Sequence, residues 1–358
     1  MDKPIILLKG KYSEETLAEL KKKNRVWKTI DIYKNQLGEV FQITHPRLLY
    51  SSDYDKEKEN FVKAKLGKNP SLKGNWIYFP WSGFLIHTVG QKDYLTLRTN
   101  RNRNLITKKE QEKLYDFCVG IAGLSIGNMI AVSLAYQGFS TFKLAELDTL
   151  ETTNLNRIRT GIGSLGMRKI DITAQQIYEI DPHAKLYLFN RGLKKNNFKN
   201  FFEAKPQPNV VFDENDDFEI KVSMRLAARI SKIPVIMLTN LGDSVLVDVE
   251  RYDENPQLPL FNGRIGNFPE KILKKKISKE EVQKIAVGIV GVQNIPLRAL
   301  LSVKEVGKTL VGRPQLASTV TISSGLAVFL VRKIALRENL PSGRVVFKFE
   351  DLVKMLSK

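Results

Sequence analysis

Apolar runs and amphipathic stretches alternate along the middle of the chain, between residues 118 and 239. The apolar runs are short and end in glycine, polar or acidic residues, as buried strands do, whereas the stretches between them have helical periodicity. This pattern predicts strands within 118–127, 140–148, 186–190, 209–214 and 234–239, and helices over 126–138, 168–180 and 218–230. Because strand–helix–strand units with short links form parallel sheets, an α/β, doubly wound and mostly parallel sheet is predicted.

The N-terminal part of the chain has a different pattern, in which short apolar runs alternate with Lys, Asn and Gly turns. It predicts three strands and one helix, at 5–8, 76–81, 84–89 and 14–23. The charged stretch 53–73 has few large apolar residues, which indicates a surface helix or loop. We therefore expect a small α+β domain over residues 1–99. A polar connector at 100–113 then opens a second domain over residues 100–358.

The C-terminal part carries a basic stretch and, further on, a long apolar segment. The basic stretch, 271–284, contains KILKKK and favours a solvated helix face within a crossover or insertion at about 255–300. The apolar segment, 317–336, includes several serines and threonines and falls short of the ~20 apolar residues of a membrane span. It therefore predicts a buried helix that completes the core.

Composition narrows the class of protein. The chain has 358 residues, of which 42% are hydrophobic and 27% charged, which is typical of a globular protein with one or two cores. A single cysteine excludes a disulfide framework and a cysteine-based zinc site, and three scattered histidines argue against a histidine metal centre. The N-terminus lacks the layout of a signal peptide, so a cytoplasmic protein is expected.

The net charge of +19 is unevenly distributed. Residues 1–116 carry +9 and residues 271–358 carry +11, whereas residues 117–270 are nearly neutral at −1. A basic surface attracts nucleic acid, anionic membrane or an acidic polypeptide, but a lysine-rich solvated surface has the same composition. The chain shows no helix–turn–helix, RNP or zinc-finger pattern, so we expect no specific nucleic-acid binding and no membrane contact.

A glycine-rich turn follows the first strand of the predicted sheet. It consists of Gly123-Leu-Ser125-Ile-Gly127 and leads directly into a helix. Such a turn brings backbone N–H groups and a helix N-terminus to a phosphate group. The usual three-glycine fingerprint is incomplete, because Ala122 and Ser125 occupy positions where glycine is common. A plain packing turn is therefore the alternative interpretation.

Two carboxylates follow the second strand. Glu146 and Asp148 lie 23 and 25 residues after Gly123. An acidic side chain at this place can bind the hydroxyl groups of a ribose. Because NAD, FAD, S-adenosylmethionine and ATP all contain a ribose, the pair predicts a nucleotide site without naming the nucleotide.

Further cations and carboxylates follow the later strands. The loop TTNLNRIR (152–159) supplies two amides and two arginines, and Lys169 opens the next helix. An arginine fork and a lysine point charge near a glycine turn favour a triphosphate over a nicotinamide. The fourth strand ends in DENDD (213–217), and carboxylates beside phosphates are typical of a Mg²⁺ site.

The chain resembles the ThiF/HesA/MoeB adenylyltransferases, relatives of the ubiquitin-activating enzymes, in GLSIG, LAELDTLETTNLNR, LGMRK and VVFDENDD. The resemblance covers about residues 100–340, from NRNRNLIT to PQLASTVTISSGLAVFLVRKIAL. LVDVERYD (246–253) is similar to a segment of the ThiF-like domains often fused to nitroreductase-like domains. The resemblance implies a Rossmann-like sheet of the ubiquitin-activating-enzyme type, ATP and Mg²⁺ as cofactors, and a homodimer.

The resemblance also implies which residues bind the nucleotide. Gly123, Ser125 and Gly127 would approach the phosphates, and Glu146 would hold the ribose, where the family normally has Asp. The other implied nucleotide-binding residues lie along the path of the phosphates, namely Asp148, Asn154, Asn156, Arg157 and Lys169.

Catalysis is expected to rest on Arg157, Lys169 and Asp216. Attack of a carboxylate on the α-phosphorus builds negative charge, which preorganised cations such as Lys169 stabilise. The resemblance implies that Asp216 and Asp148 bind Mg²⁺. Two neighbouring carboxylates are substitutes for Asp216, namely Asp213 and Asp217.

An arginine from a second subunit is also implied. NRNRNLIT resembles the segment that these proteins send across a homodimer into the partner's site. Arg103 would enter the neighbouring site and act in catalysis, with Arg101 as the fallback.

The chain departs from many relatives in its cysteines. It lacks both the cysteine nucleophile used for thioester transfer and the four-cysteine zinc site, because its one cysteine, Cys118, lies in the first core strand. A buried packing role is expected for Cys118. An acyl-adenylate would therefore pass directly to an external nucleophile.

The expected function is that of an ATP-dependent adenylyltransferase that activates a carboxylate of a peptide or small carrier protein. Residues 1–99 would be a clamp for an acidic peptide or carrier, or else a structural or dimerisation appendage. A separate nitroreductase-like partner is a further expectation. Two alternatives stay open: a non-catalytic scaffold subunit, and a dinucleotide-dependent oxidoreductase on the same sheet.

Overall fold

The computed structural model describes residues 2–266 and 278–357. These residues divide into two compact units. The smaller unit comprises residues 1–111 together with 177–184, and the larger comprises residues 112–176 and 185–358.

The first part of the chain forms four strands and five helices in the described residues. The strands are β1 (Ile5–Leu7), β2 (Lys28–Asp31), β3 (Asn75–Phe79) and β4 (Phe84–Thr88). The helices are α1 (Glu14–Lys23), α2 (Tyr33–Thr44), α3 (Tyr54–Leu66), α4 (Gln91–Arg98) and α5 (Lys108–Asp116). The strands form one sheet in the order β1-β3-β4-β2, antiparallel except for the parallel pair β2–β4.

Aromatic side chains stack through the smaller unit. His87 lies between Trp76, with ring centroids 4.3 Å apart, and Tyr33, at 4.8 Å. The two ring nitrogens of His87 lie 3.0 Å from an Asp31 carboxylate oxygen and 2.7 Å from the Lys73 carbonyl oxygen. The other two tryptophans of the chain, Trp27 and Trp81, also belong to this unit.

The rest of the chain forms seven strands and eight helices in the described residues. The strands are β5 (Cys118–Ala122), β6 (Thr141–Ala145), β7 (Lys185–Phe189), β8 (Val210–Asp213), β9 (Val235–Asn240), β10 (Ser244–Glu250) and β11 (Gly343–Lys348). The helices are α6 (Ile126–Gln137), α7 (Lys169–Ile180), α8 (Phe198–Phe202), α9 (Phe218–Ser231), α10 (Lys279–Val290), α11 (Leu297–Glu305), α12 (Ala317–Ala335) and α13 (Phe349–Leu356).

These strands form one sheet in the order β11-β10-β9-β8-β5-β6-β7. Strands β5 to β9 pair in parallel, and β10 and β11 are antiparallel additions at one edge. Every residue of β5 and β6 is buried, which explains their mostly small and apolar composition. The exception is Lys143 of β6, whose buried ammonium donates to the carbonyl oxygens of Asn200, Phe201 and Ala204. The predicted α/β class with a mostly parallel, doubly wound sheet is confirmed.

The helix after the glycine turn also agrees with the sequence. Helix α6 ends at Gly138, which has the left-handed φ of +102° that glycine adopts without strain. The apolar segment predicted near 317–336 is helix α12, which is long and apolar enough to cross a membrane by length and composition alone. Ten of its 19 residues are buried, and Ser324 hydrogen-bonds Ser133 of α6, so it is a core helix, as expected.

Several expectations need correction or cannot be compared. The connector predicted at 100–113 is helical from Lys108 onwards, because α5 begins there. The sheet extends beyond its last predicted strand, because β10 and β11 pair in antiparallel fashion. The KILKKK stretch (271–276), for which a solvated helix face was predicted, lies outside the described residues.

Candidate functional site

The glycine turn lies where the order of strands reverses. Strand β5 has β6 on one side and β8 on the other, and open α/β sheets bind ligands at the carboxyl ends of strands at such a switch point. Gly123 has φ +91°, and a Cβ atom there would lie 2.4 Å from the backbone carbonyl oxygen of Glu214. Only glycine therefore lets the turn after β5 approach the segment after β8 so closely.

The N-terminus of α6 opens next to this turn. Ser125 is the N-cap residue, but its side chain makes no capping bond and instead accepts a hydrogen bond from Nε of Arg157 at 3.1 Å. At Gly127 a Cβ atom would lie 2.7 Å from the Ile121 side chain, so glycine permits close packing of α6 on β5. Helix N–H groups without a side-chain cap suit an anion such as phosphate.

Arg157 joins the glycine turn to the loop after β6. Besides Ser125, its guanidinium donates to the Thr153 carbonyl oxygen and to Oδ1 of Asn156, each at 3.0 Å. Burial lowers the pKa of Arg157, and the charge of Asp216 opposes that shift. Arg157 and Asp216, which are 59 positions apart in the sequence, are thus electrostatic neighbours.

Glu146 is nearly buried and bonds three backbone N–H groups. One oxygen accepts from Leu124 of the glycine turn at 2.7 Å. The other accepts from Leu147 at 2.7 Å and from Asp148 at 3.0 Å. The carboxylate therefore fixes the turn after β5 against the end of β6, and its predicted contact with a ribose stays a prediction.

Lys169 and Asp148 form an ion pair at the entrance of α7. Nζ of Lys169 lies 3.1 Å from Oδ2 of Asp148. The lysine side chain is only 9% exposed, whereas the aspartate side chain is 56% exposed. A nearly buried ammonium with an exposed, replaceable partner can turn to a phosphate when one is present.

The two amides of the loop after β6 have different surroundings. Asn154 is buried, and its Oδ1 accepts the backbone N–H of Glu151 at 3.1 Å, so it stabilises the loop itself. Asn156 donates from Nδ2 to the Gln315 carbonyl oxygen at 2.8 Å. Direct contact of Asn154 with phosphates stays a prediction.

The aspartates after β8 separate into three environments. Asp213 is fully buried and pairs with Arg225 at 2.5 Å and with Lys221 at 3.2 Å. Asp217 caps α9 by accepting the N–H of Ile220 at 3.0 Å. Of the three, Asp216 has the open carboxylate, with a side chain 92% exposed. Asp213 is thus occupied by two buried cations, whereas Asp217 uses one oxygen for its cap, and its substitution for Asp216 stays a prediction.

The pKa values of the two carboxyls at the end of β8 shift in opposite directions. For Asp213 the cost of burial is outweighed by Lys221 and Arg225, so its pKa lies below the usual range. For Glu214, burial raises the pKa well above the usual range, although Lys221 and a bond from the Leu238 N–H oppose this. Two neighbouring carboxyls thus have pKa values shifted in opposite directions.

Sequence reasoning missed the residues that approach the site from the loop before α12. Arg313 donates from Nη2 to Oδ1 of Asp216 at 3.1 Å, and the Gln315 carbonyl accepts from Asn156. Arg159 lies 3.4 Å from Oγ1 of Thr321. The one available signal was the position of Arg313, directly before the PQLAST segment noted above.

Cys118 is buried and has the packing role expected of it. Its Sγ lies 3.9 Å from the Pro206 carbonyl oxygen, and burial raises the pKa of the thiol to about 12. Such a thiol stays protonated near neutral pH and is a poor nucleophile.

Arg101 and Arg103 are exposed and belong to the smaller unit. Arg103 directly follows a short 3₁₀ turn at Asn100–Asn102. Entry of either side chain into a second subunit's site stays a prediction.

Asp216 and Asp148 are exposed carboxylates, and their joint binding of Mg²⁺ stays a prediction. Within residues 2–266 and 278–357, no group of three or more His, Cys, Asp or Glu side chains is arranged to hold a metal ion alone. Mg²⁺ usually takes one or two carboxylates and completes its shell with water and phosphate oxygens. The exposed Asp216 and Asp148 suit that mode of binding.

The family follows from the match over the larger part of the chain. Residues 99–350 match the ThiF family, so the chain belongs to that family. This is the class that the doubly wound sheet, the glycine turn and the following cations indicate.

Three curated relatives are similar to parts of the chain. A Mycobacterium tuberculosis protein, the uncharacterized protein MT1398, is 38% identical over 271 residues, 75% of this chain and 37% of that protein. The Arabidopsis thaliana ubiquitin-like modifier-activating enzyme 5 is 31% identical over 23% of this chain and 19% of its own length. A probable molybdopterin-synthase adenylyltransferase of Porphyra purpurea is 29% identical over 28% of this chain. The chain thus spans well under half of the first two relatives, and the match to the third covers 25% of its length.

Solved structures show the same fold. The crystal structure of E. coli MccB with ATP has a TM-score of 0.51 and 15% identity, and covers 88% of this chain and 84% of that one. The structure of MccB with AMPCPP and MccA has a TM-score of 0.50 and 14% identity, with the same coverage.

Proposed function

We propose that the chain is an ATP-dependent adenylyltransferase that activates a carboxylate as an acyl-adenylate. The observation that carries this is the contact of Arg157 with the uncapped N-terminus of α6, at the switch point of a ThiF-family sheet. Asp216 interacts electrostatically with this arginine, and the Lys169–Asp148 pair lies after the neighbouring strand β6. The name of the Porphyra relative, an adenylyltransferase, supports the same chemistry.

The residues divide the work of the reaction. In adenylation, a carboxylate oxygen attacks the α-phosphorus of ATP, and the bond to the bridging oxygen breaks to release pyrophosphate. Lys169 and Arg157 would stabilise the charge that builds on the phosphate oxygens. The N–H groups at the start of α6 would hold the phosphates. A Mg²⁺ ion held by Asp216 and Asp148 would neutralise phosphate charge.

Transfer would proceed without a thioester on the enzyme. Cys118 is buried, protonated at neutral pH and part of β5, so it offers no accessible thiolate. The acyl group would pass from the adenylate directly to an external nucleophile, with AMP as the leaving group.

The substrate class and partners are also part of the proposal. We favour a carboxylate on a peptide or small carrier protein, with the smaller unit as a clamp for an acidic segment. A homodimer in which Arg103 enters the second site, and a separate nitroreductase-like partner, complete it.

A thermal-shift comparison of Mg²⁺·ATP, NAD⁺, FAD and S-adenosylmethionine is the first test. A ligand at ~100 times its Kd should add ~2.7 kcal/mol to the free energy of unfolding. We expect a shift with Mg²⁺·ATP alone. A shift with a dinucleotide and none with ATP would contradict the proposal and favour the oxidoreductase alternative.

Substitution of the site separates an enzyme from a scaffold. We expect Lys169→Ala and Asp216→Ala to lower ATP–pyrophosphate exchange by about 100-fold or more, because each removes charge stabilisation at the phosphates. Lys185→Ala is the matched control. Lys185 is the first residue of β7, at the end of the strand opposite to the site, and it pairs with the exposed Asp116. Candidate peptides are screened as the carboxylate substrate. Equal exchange by all variants would indicate that these residues do not act in catalysis.

A further inference from the structure

The segment 313–321, which runs from the loop before α12 into its first turn, forms one wall of the candidate site. It makes three polar contacts with loops that carry site residues. Arg313 pairs with Asp216 at 3.1 Å, the Gln315 carbonyl accepts from Asn156 at 2.8 Å, and Thr321 lies 3.4 Å from Arg159. These contacts join it to the loop after β6 and to the loop after β8.

The position of Arg313 places a second guanidinium near Asp216. Arg157 is coupled electrostatically to the same carboxylate and is bound to the glycine turn through Ser125. Asp216 therefore pairs directly with Arg313 and interacts electrostatically with the partly buried Arg157 of the loop after β6. Two guanidinium groups around one carboxylate make this corner of the site strongly positive once Asp216 binds a cation.

The ion pair of Arg313 is readily exchanged. The Asp216 side chain is 92% exposed and the Arg313 side chain 54% exposed, and such surface pairs contribute about 0–1 kcal/mol. The hydrogen bond from Asn156 to the Gln315 carbonyl holds the segment close to the site without using Arg313. The guanidinium can thus leave Asp216 for a stronger anion while its backbone stays in place.

We propose that Arg313 binds the phosphate chain of ATP and that Asp216 holds its guanidinium in the nucleotide-free protein. This inference rests on the proposed function, and it assigns to the chain's own segment an arginine that acts beside Arg157. A guanidinium donates two parallel hydrogen bonds to two phosphate oxygens. It thereby stabilises the negative charge that develops on the leaving pyrophosphate.

Calorimetric titration of Arg313→Ala with Mg²⁺·ATP and with AMP tests the proposal. A charged hydrogen bond is worth about 1.5–3 kcal/mol, so we expect the Kd for Mg²⁺·ATP to rise about tenfold or more. The Kd for AMP should change less than about twofold, because AMP lacks the outer phosphates. Arg313→Lys keeps the positive charge but lacks the two parallel N–H donors of a guanidinium. Its Kd for Mg²⁺·ATP should therefore lie between those of the wild type and Arg313→Ala.

Lys308→Ala is the matched control. Lys308 is an exposed cation of the same loop, and its side chain has no polar partner among the described residues. The Lys308→Ala variant should bind Mg²⁺·ATP with the same Kd as the wild type. A Kd for Mg²⁺·ATP in Arg313→Ala equal to that in Lys308→Ala would overturn the inference. An equal loss for ATP and AMP would also overturn it, because that pattern indicates a structural role of the segment.

Failure of the proposed function gives a different result. If the wild type binds no Mg²⁺·ATP, both the proposed function and this inference are wrong. If the wild type binds Mg²⁺·ATP and Arg313→Ala binds it equally well, only the role of Arg313 is wrong.

Discussion

Two sets of arginine and carboxylate side chains surround the end of strand β8, and they differ in burial. Arg225 is fully buried between Asp213, at 2.5 Å, and Glu250, at 2.6 Å, with its guanidinium 3.7 Å from the centre of the Phe261 ring. Asp216 and Arg313, in contrast, pair at the surface. The same chemical groups thus form a fixed internal network at one place and an exchangeable pair three residues further on.

The comparison shows that burial distinguishes charged residues that stabilise the fold from charged residues that are free to bind a ligand. Charges removed from water must be paired completely, because an unpaired buried charge costs several kcal/mol. Exposed charges are screened and can change partners at little cost. The residues that bind ligands are therefore expected among the exposed or half-open pairs, here Asp216–Arg313 and Lys169–Asp148.

Removal of Arg225 should have the largest effect on stability. Arg225→Met leaves Asp213 and Glu250 buried without their cation, although Lys221 still pairs with Asp213. We expect the free energy of unfolding in urea to fall by about 3–5 kcal/mol. Arg313→Met, the exposed counterpart, should lower it by less than about 1 kcal/mol. Equal decreases in the free energy of unfolding for Arg225→Met and Arg313→Met would show that the buried and exposed pairs contribute equally to stability.

A methyl group at Gly123 should disrupt the close packing of the glycine turn on the segment 213–216, which carries the aspartates of both sets. Gly123→Ala introduces a side chain at φ +91° that would meet the Glu214 carbonyl oxygen at 2.4 Å. We expect a loss of about 2 kcal/mol in the free energy of unfolding, together with weaker Mg²⁺·ATP binding. Gly161→Ala, with open space around the added atom, should change neither quantity by much. Unaltered ATP binding in Gly123→Ala would exclude this turn from the nucleotide site.

The raised pKa of Glu214 gives an effect on stability that depends on pH. The unfolded chain ionises this carboxyl near its ordinary pKa of 4.5, whereas the folded protein keeps the proton to higher pH. The wild type therefore loses stability as the pH rises above 4.5 towards the raised pKa. Glu214→Gln cannot ionise and keeps an oxygen for the Leu238 N–H.

The stability advantage of Glu214→Gln over the wild type should thus be larger at about pH 7 than at about pH 5, with a slope of less than ~1.4 kcal/mol per pH unit. Urea unfolding at the two pH values measures it. An equal difference in stability between Glu214→Gln and the wild type at both pH values would show that Glu214 ionises in the folded protein at its ordinary pKa.

The sequence predicted the parallel half of the sheet and the elements around the glycine turn. Strands β5, β8 and β9 are short, mostly apolar runs, and Gly138 marks the end of α6. Strand β6 contains the buried Lys143, and β7 is only partly buried. These signals are local, because burial on both faces requires apolar residues at consecutive positions. Lys169 and Arg157 could be named because each is a cation within a recognisable motif, LGMRK and TTNLNRIR.

The antiparallel edge and the partners of the site residues could not be predicted in this way. SVLVDVE (β10) was noted only as a family-like segment, and GRVVFK (β11) carries too few apolar residues to stand out. Arg313 lies 97 positions from Asp216, and Arg225 lies 25 positions from Glu250. Such pairs depend on how the sheet and the loops fold together, and spacing in a single sequence does not contain that information.

The tryptophans of the chain provide an optical reporter of the smaller unit alone. All three tryptophans lie in that unit, where Trp76 stacks on His87, Trp81 donates to Glu179 and Trp27 stacks on Phe84. Intrinsic tryptophan fluorescence therefore follows the unfolding of the smaller unit alone, whereas circular dichroism follows the helices of both. Coincident melting curves would show that the chain unfolds as one cooperative body. Separate curves would give each unit a free energy of its own, measured without cutting the chain.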